Sequence, residues 1–396
     1  MLQRAMIVEA LVAEPGFLIC DNVTQPLDVA VAWQITRLLK ALRDNLDAGI
    51  LFVATSVPIV REVADGVLVL SQGRIVERST PDELVRVPRH ASSRDLLART
   101  AKIWGDGPPP AAPPAATPRK AILEVQEVTK TYLVPHRSRF FGKQAVQAVR
   151  DAGFDVLEGD NFGLVGKSGC GKSTLSRLLS WIERPDRGRI LFDGQDIAQM
   201  SRAALVTMRR GFQLLLQDPY NCIPPNLTVG RTIALPLKVH GLGRREAAAK
   251  VEAVMAEVGL DLFARLQRSH RLTYLFISHD LAMVRKVCSR IVVMSLGKVV
   301  EFADTATVFF DPGHPYTKAL LSAVPVLEEH RCKAEDCLLE REPPSPIDLP
   351  TGCSFRARCP AAFESCRAVE PGLVTRGPGR VAACHRLAPP ADARAA

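Results

Sequence analysis

No apolar stretch in this sequence reaches the roughly 18–20 residues needed to cross a bilayer. The longest candidate, residues 49–60, has 12 and includes Thr55 and Ser56. No membrane-spanning helix is therefore expected. The amino terminus, MLQRAMIVEALV, offers one basic residue and an early Glu9, which makes a poor secretory leader and points to the cytosol. There is no basic block either. Lys and Arg outnumber Asp and Glu by 51 to 42, a net charge of +9, a balance that suits nucleic acid, an anionic membrane surface or phosphate ligands, but the Arg residues are scattered through Ala- and Pro-rich sequence, as in a plain compositional bias. The composition, 47% hydrophobic and 23% charged, is that of a folded globular protein and excludes a disordered or collagen-like chain. At about 150 residues per domain, the length gives about two or three domains. Ten Cys in a cytosolic chain favour buried thiols or a metal site over disulfides.

Six prolines crowd residues 105–118, GDGPPPAAPPAATP. Such a stretch holds neither a helix nor a central strand and reads as a semi-rigid linker over 105–120. It separates a first part, 1–104, from a second, 121–325, and the two repeat. At an offset of 224 residues, ILFVATSVPIV (50–60) falls on YLFISHDLAMV (274–284) and VADGVLVLSQGRIVE (63–77) on VCSRIVVMSLGKVVE (287–301). Pro88 and His90 then fall on Pro312 and His314 without a gap. An ungapped match of this length marks an internal duplication. Each copy reads as strand, loop, helix, second strand and Gly turn, which predicts an α/β fold with a largely parallel sheet covered by helices. Residues 244–258 predict an amphipathic, Ala-rich helix. From 326 to 396 the composition shifts to Cys, Pro and Arg.

Residues 163–175 read GLVGKSGCGKSTL. Within them Gly166-x4-Gly171-Lys172-Ser173 fits the phosphate-binding P-loop, preceded by an apolar strand and followed by a helix. Glycines let backbone N–H groups turn inward around an anion, and the helix N-terminus adds partial positive charge. Lys172 can reach the β- and γ-phosphates, and the Ser173 hydroxyl can ligate Mg²⁺.

With this loop the second part resembles the ATP-binding subunits of ABC transporters, of the peptide and nickel importer group. The first part resembles the back half of one such ATPase, so the whole looks like a tandem fusion with missing segments. The resemblance implies P-loop NTPase (ABC ATPase) sheets with flanking helices, two incomplete copies, and a Cys-rich C-terminal tail at 326–396. It implies ATP and Mg²⁺ as ligands and ATP hydrolysis coupled to the import of peptides or nickel. It also implies a place on the cytoplasmic face of the cell membrane. Its expected partners are two membrane permease subunits, an external substrate-binding protein and a second ATPase chain, and no nucleic acid is expected. Residue by residue, nucleotide contacts fall on Tyr132 (in VTKTY, the aromatic that stacks on adenine), Gly166, Ser168, Gly169, Cys170, Gly171, Lys172, Ser173 and Thr174. Gln217 (in QDP) matches the glutamine that contacts Mg²⁺ or water near the γ-phosphate. His279 (in LFISHDL) matches the switch histidine, and Asp21, ending PGFLICD, matches the Mg²⁺-side carboxylate of a Walker B strand.

Several family features are missing. The first part holds no P-loop pattern, and no SGG signature occurs anywhere. Asn22 stands where the family has the Glu that polarises water, and an amide cannot accept that proton. Thr55 stands at the switch-histidine position. In the second part no apolar run ending in Asp-Glu lies between Gln217 and His279. Loss of that strand would leave two central strands unpaired or force them together. Insertion of the first part's FLIC strand beside the P-loop strand would instead complete one chimeric sheet. Weak hydrolysis follows from these losses. The alternatives are a non-transport nucleotide- or metal-binding protein, or an inactive remnant.

The tail carries GCSFRARCPAAFESC (352–366) and Cys384. Like HPYTKALLSAVP (314–325), it resembles the C-terminal extension of peptide and nickel importer ATPases. Cys353, Cys359, Cys366 and Cys384 supply four thiolates for a [4Fe–4S] cluster or zinc, or else remain structural thiols, since no tight CxxC occurs among them. Cys170 in the loop reads as packing.

Overall fold

The structure is a computed structural model. It describes residues 9–10, 16–24, 32, 35–41, 49–100, 119–135, 142–214, 227–257, 272–278, 280–324, 344, 347 and 349–387. The strands are β1 (Phe17–Asp21), β2 (Gly49–Val53), β3 (Val67–Ser71), β4 (Arg74–Ser79), β5 (Ala121–Pro135), β6 (Lys143–Leu157), β7 (Asn161–Val165), β8 (Arg187–Phe192), β9 (Gln195–Asp196), β10 (Tyr274–Ile277), β11 (Arg290–Ser295), β12 (Lys298–Asp304), β13 (Val374–Gly377) and β14 (Arg380–Ala382). The helices that matter below are α1 (Val57–Val63), α2 (Lys172–Leu179), α3 (Arg244–Glu257), α4 (Leu281–Val287) and α5 (Pro315–Ser322).

Four sheets form among the described residues: β1-β2, β3-β4, β6-β5-β8-β9 and β10-β7-β11-β12-β14-β13. The largest is mixed rather than largely parallel. Strands β10, β7 and β11 run parallel, and β12, β14 and β13 continue antiparallel. The reason is local. Leu296 and Gly297 both take positive φ, 46° and 81°, which closes β11 onto β12 with a two-residue hairpin turn. The same pair of signs stands at Gln72 and Gly73, φ 48° and 75°, between β3 and β4.

After Asn161, strand β7 is an unbroken, buried apolar run, residues 162–165, fitting a strand whose edges and faces are both covered. Phe162 lies in register with Leu275 of β10 on one side and Arg290 of β11 on the other. Gly163 lets α4 lie close. A Cβ there would stand 2.9 Å from Val284 Cγ1 and 3.2 Å from Cys288 Sγ. The expected strand loss is therefore resolved by direct contact of β10 with β7. The chimeric insertion does not occur: β1 pairs in parallel with β2, Ile19 opposite Leu51 and Asp21 opposite Val53. No edge of β7 remains for it.

The period-two alternation of β11 divides the core. Ile291 and Val293 join Val165, Val284, Phe309 and Tyr316 on one face. Val292 and Met294 join Phe162, Leu164, Leu175, Leu178, Val125 and Phe154 on the other. The amino-terminal strands have smaller cores, one around Cys20, Ile35 and Leu39 and one around Val57, Val69 and Leu84. The helix expected over 244–258 is α3, Arg244–Glu257. The linker expected at 105–120 falls outside the described residues except at its last two positions.

Candidate functional site

The phosphate loop hangs between β7 and α2. Gly166 and Gly171 take φ of 155° and 105°, and neither has room for a side chain. A Cβ on Gly166 would meet Met294 O at 2.3 Å, and one on Gly171 would meet Ala148 O at 2.2 Å. Both obstacles are backbone, so glycine is required. Gly171 caps α2 without a side-chain hydrogen bond, which leaves the first N–H groups of the helix open to an anion. Lys172 folds back over the loop, its Nζ donating to Gly166 O at 2.6 Å and Lys167 O at 3.2 Å. An ammonium held on two carbonyls at the loop's centre is placed to exchange them for phosphate oxygens. Ser168, Gly169 and Ser173 are exposed along the same rim.

Contacts from distant sequence hold the loop in shape. Gly297 N donates to Cys170 O at 2.9 Å, and Arg150 N to Gly297 O at 2.7 Å. Lys167 N donates to the phenol oxygen of Tyr316 at 3.0 Å. Tyr316 packs edge-on against Phe355, ring centroids 5.7 Å apart. His314 lies beside both rings, and burial pushes its imidazole down to about 4. The ring is thus neutral near pH 7, and its Nδ1 accepts from Tyr316 N at 2.9 Å. Glu370 joins the same assembly through Arg150 at 2.5 Å and Lys298 at 3.4 Å. Sequence reasoning singled out the HPY segment but did not connect it to the loop, because nothing local in the chain signals a contact across 149 residues.

Tyr132, the residue expected to stack on adenine, lies half-buried in β5, with Lys130 Nζ 5.8 Å from its ring centre. Its hydroxyl donates to Glu183. Burial first, and Glu183 second, raise its pKa, so it stays a neutral phenol. Cys170 is buried, and desolvation raises its thiol despite the opposing pull of Lys172, in keeping with a packing role. Gln217 and His279 lie outside the described residues. Asp21 ends β1, in a different sheet from the loop's strand. Asn22 follows in a left-handed conformation, φ 49°, with its N–H on Val53 O at 2.9 Å.

In the tail, Cys353, Cys359, Cys366 and Cys384 line one cavity with His314 and His385. The seven described cysteines are all free. Burial, then the neighbouring thiols, raises Cys353. Among the described residues, however, no group of three or more His, Cys, Asp or Glu is arranged to hold a metal ion. The four sulfurs share a cavity without forming a ligand set.

The ABC transporter family profile matches residues 149–275, and that of the oligopeptide/dipeptide transporter C-terminal region matches residues 300–366. The glutathione import ATP-binding protein GsiA of Pectobacterium atrosepticum is 34% identical over 423 aligned positions, covering 88% of this chain and 67% of that protein. This chain belongs to the ABC transporter ATP-binding proteins of the peptide-importer type. The Escherichia coli K12 protein of the same name is 33% identical with the same coverage. Among solved structures, a dimeric ATP-binding cassette in a post-hydrolysis state with ADP and phosphate aligns at 20% identity and a TM-score of 0.39, over 46% of this chain and 98% of that one. As a peptide-type ABC importer component, the chain has the P-loop NTPase fold of mixed α and β content, and ATP with Mg²⁺ is what its family binds. No described helix is long and apolar enough to cross a membrane.

Proposed function

We propose that residues 166–174 hold the phosphates of ATP and that the chain thereby drives import of short peptides of the glutathione class. The observation that carries this reading is the loop geometry: two glycines pinned against backbone oxygens, an uncapped helix start, and Lys172 poised on two carbonyls. In this reading Lys172 transfers its hydrogen bonds to the β- and γ-phosphates, and Tyr132 stacks on adenine. Ser173 and Gln217 face Mg²⁺, and His279 meets the γ-phosphate. The Ser173 position fits the metal because an exposed hydroxyl follows the lysine at the helix start.

The chain reads as two incomplete ATPase copies, 1–104 and 121–325, joined by 105–120 and followed by the extension 326–396. Recurrent bonding at the 224-residue offset supports this. Glu77 accepts from Arg89 N and His90 N, and Glu301 accepts from Gly313 N and His314 N. His90 Nδ1 caps Ser92 N as His314 Nδ1 caps Tyr316 N. Hydrolysis is slow in this reading, because Asn22 cannot act as a base and Asp21 lies in another sheet. The partners are two permease subunits and an external binding protein, with a second ATPase chain, at the cytoplasmic membrane face. The four tail cysteines are offered as a [4Fe–4S] or zinc site, supported by their shared cavity. Their thiols must rotate together to close it, and protein purified without oxygen that carries neither iron nor zinc removes this assignment.

The deciding experiment is calorimetric titration of the full chain with ATP·Mg²⁺. Saturable binding lost in Lys172→Ala is expected, with little turnover. Absence of saturable binding overturns the reading. Turnover matching an intact importer ATPase, abolished by Lys172→Ala, overturns the claim of slow hydrolysis alone.

A further inference from the structure

The peptide group that seats the Lys172 ammonium is also held from behind. Gly166 and Lys167 share one planar, trans peptide group, so its carbonyl and its N–H point in opposite directions. The carbonyl, Gly166 O, accepts from Lys172 Nζ at 2.6 Å. The N–H, on Lys167, donates to the Tyr316 phenol oxygen at 3.0 Å. The group cannot turn without breaking one of these bonds. Tyr316, 2% exposed, thus fixes the carbonyl that aims the lysine. Two of the three ammonium donors go to Gly166 O and Lys167 O, which centres the charge before any anion arrives. Order established before binding does not have to be created on binding, and it is realised as affinity.

The far end of the loop is held in the same manner. Cys170 and Gly171 share the peptide group at the start of α2. Its carbonyl accepts from Gly297 N at 2.9 Å, which turns the Gly171 N–H away from the β11–β12 turn. Gly297 O accepts in its turn from Arg150 N at 2.7 Å. The side chains of Arg150 and Lys298, on either side of this relay, both reach Glu370, at 2.5 Å and 3.4 Å. Lys298 Nζ also donates to Pro371 O at 3.2 Å. One carboxylate therefore ties together the two backbones that carry the relay. Both anchors, residues 316 and 370, come from the carboxy-terminal part of the chain, and they act on the loop at residues 167 and 170.

We propose that Tyr316 and Glu370 are positioning residues of the nucleotide site: they hold the two ends of the phosphate loop in the shape that grips phosphate, so the carboxy-terminal part of the chain sets the affinity for a Mg²⁺-bound polyphosphate. This rests on the ATP reading given above. The test is calorimetric titration of the full chain, well below its melting transition, with ATP·Mg²⁺ and with inorganic triphosphate·Mg²⁺. Tyr316→Phe keeps the buried ring and removes the acceptor. It should weaken both ligands by the same factor, about five- to tenfold. Glu370→Gln, whose side chain is 29% exposed, keeps the shape and removes the charge, and should weaken both about threefold. A merely structural role would lower the melting temperature and leave the affinity of the folded chain unchanged, and that result overturns the proposal, as does a raised affinity. A loss confined to ATP, or a wild-type chain that binds ATP·Mg²⁺ but not triphosphate·Mg²⁺, would place the effect at the adenine end and overturns it equally. If Tyr316→Phe does not fold, Glu370→Gln decides alone. Absence of ATP·Mg²⁺ binding by the wild-type chain removes the ATP reading and this proposal with it, whereas wild-type binding that both variants retain removes this proposal only.

Discussion

At the scale of single residues, the site depends on positions where chemistry leaves no choice. Gly171 combines a left-handed φ of 105° with a backbone oxygen 2.2 Å from where a Cβ would sit. Gly171→Ala should therefore distort the loop and cost about 1–3 kcal/mol of stability, with ATP affinity falling about tenfold or more. Thermal unfolding and calorimetric titration check the two parts. Tyr316 acts differently: its phenol oxygen accepts from the loop's Lys167 N–H. Tyr316→Phe keeps the ring packing on Phe355 and removes the acceptor of that N–H, at an expected cost of about 1–3 kcal/mol. A melting temperature unchanged by the substitution contradicts this. The two residues also differ in how far the sequence reveals them. Gly171 belongs to an eight-residue pattern that carries its own explanation. Tyr316 reaches the loop only through the folded chain, so its motif was visible and its partner was not.

At the scale of elements, Glu77 shows how a hairpin is locked to the segment after it. Hydrogen bonds from Ser93, His90 N and Arg89 N hold its carboxyl down at about 2. A carboxyl lowered from its ordinary value stabilises the fold above about 4.5, and that contribution is lost as pH falls toward 2. Melting of the full chain across this window should show a decline that Glu77→Gln flattens, while lowering stability near neutrality because the amide cannot accept all three bonds. The existence and order of β2, α1, β3 and β4, and of β10, α4, β11 and β12, were legible from apolar runs and Gly turns. The pairing was not. Which strand lies beside β7 depends on residues more than a hundred positions away, and the sheet direction beyond β11 was set by the signs of φ at Leu296 and Gly297, which residue type alone does not dictate for leucine.

At the scale of the whole molecule, buried apolar surface is unevenly shared. The six-stranded sheet has a large core on each face, and β1–β4 rest on two small clusters. Local opening follows apolar burial, so amide hydrogens of β1–β4 should exchange well before those of β7 and β11. Protection equal in both sets would contradict this.

The grip of Tyr316 on Lys167 and of Glu370 on Arg150, with β14 completing the sheet at residues 380–382, also fixes an order of events during synthesis. The phosphate loop leaves the ribosome early, and its supports leave late. At about 5–20 residues per second, roughly 7–30 s separate the appearance of the loop from that of the tyrosine that steadies it. A growing chain therefore holds its loop without these two anchors until residues 316 and 370 arrive, and a product cut short by a frameshift before residue 315 keeps the complete motif while losing both.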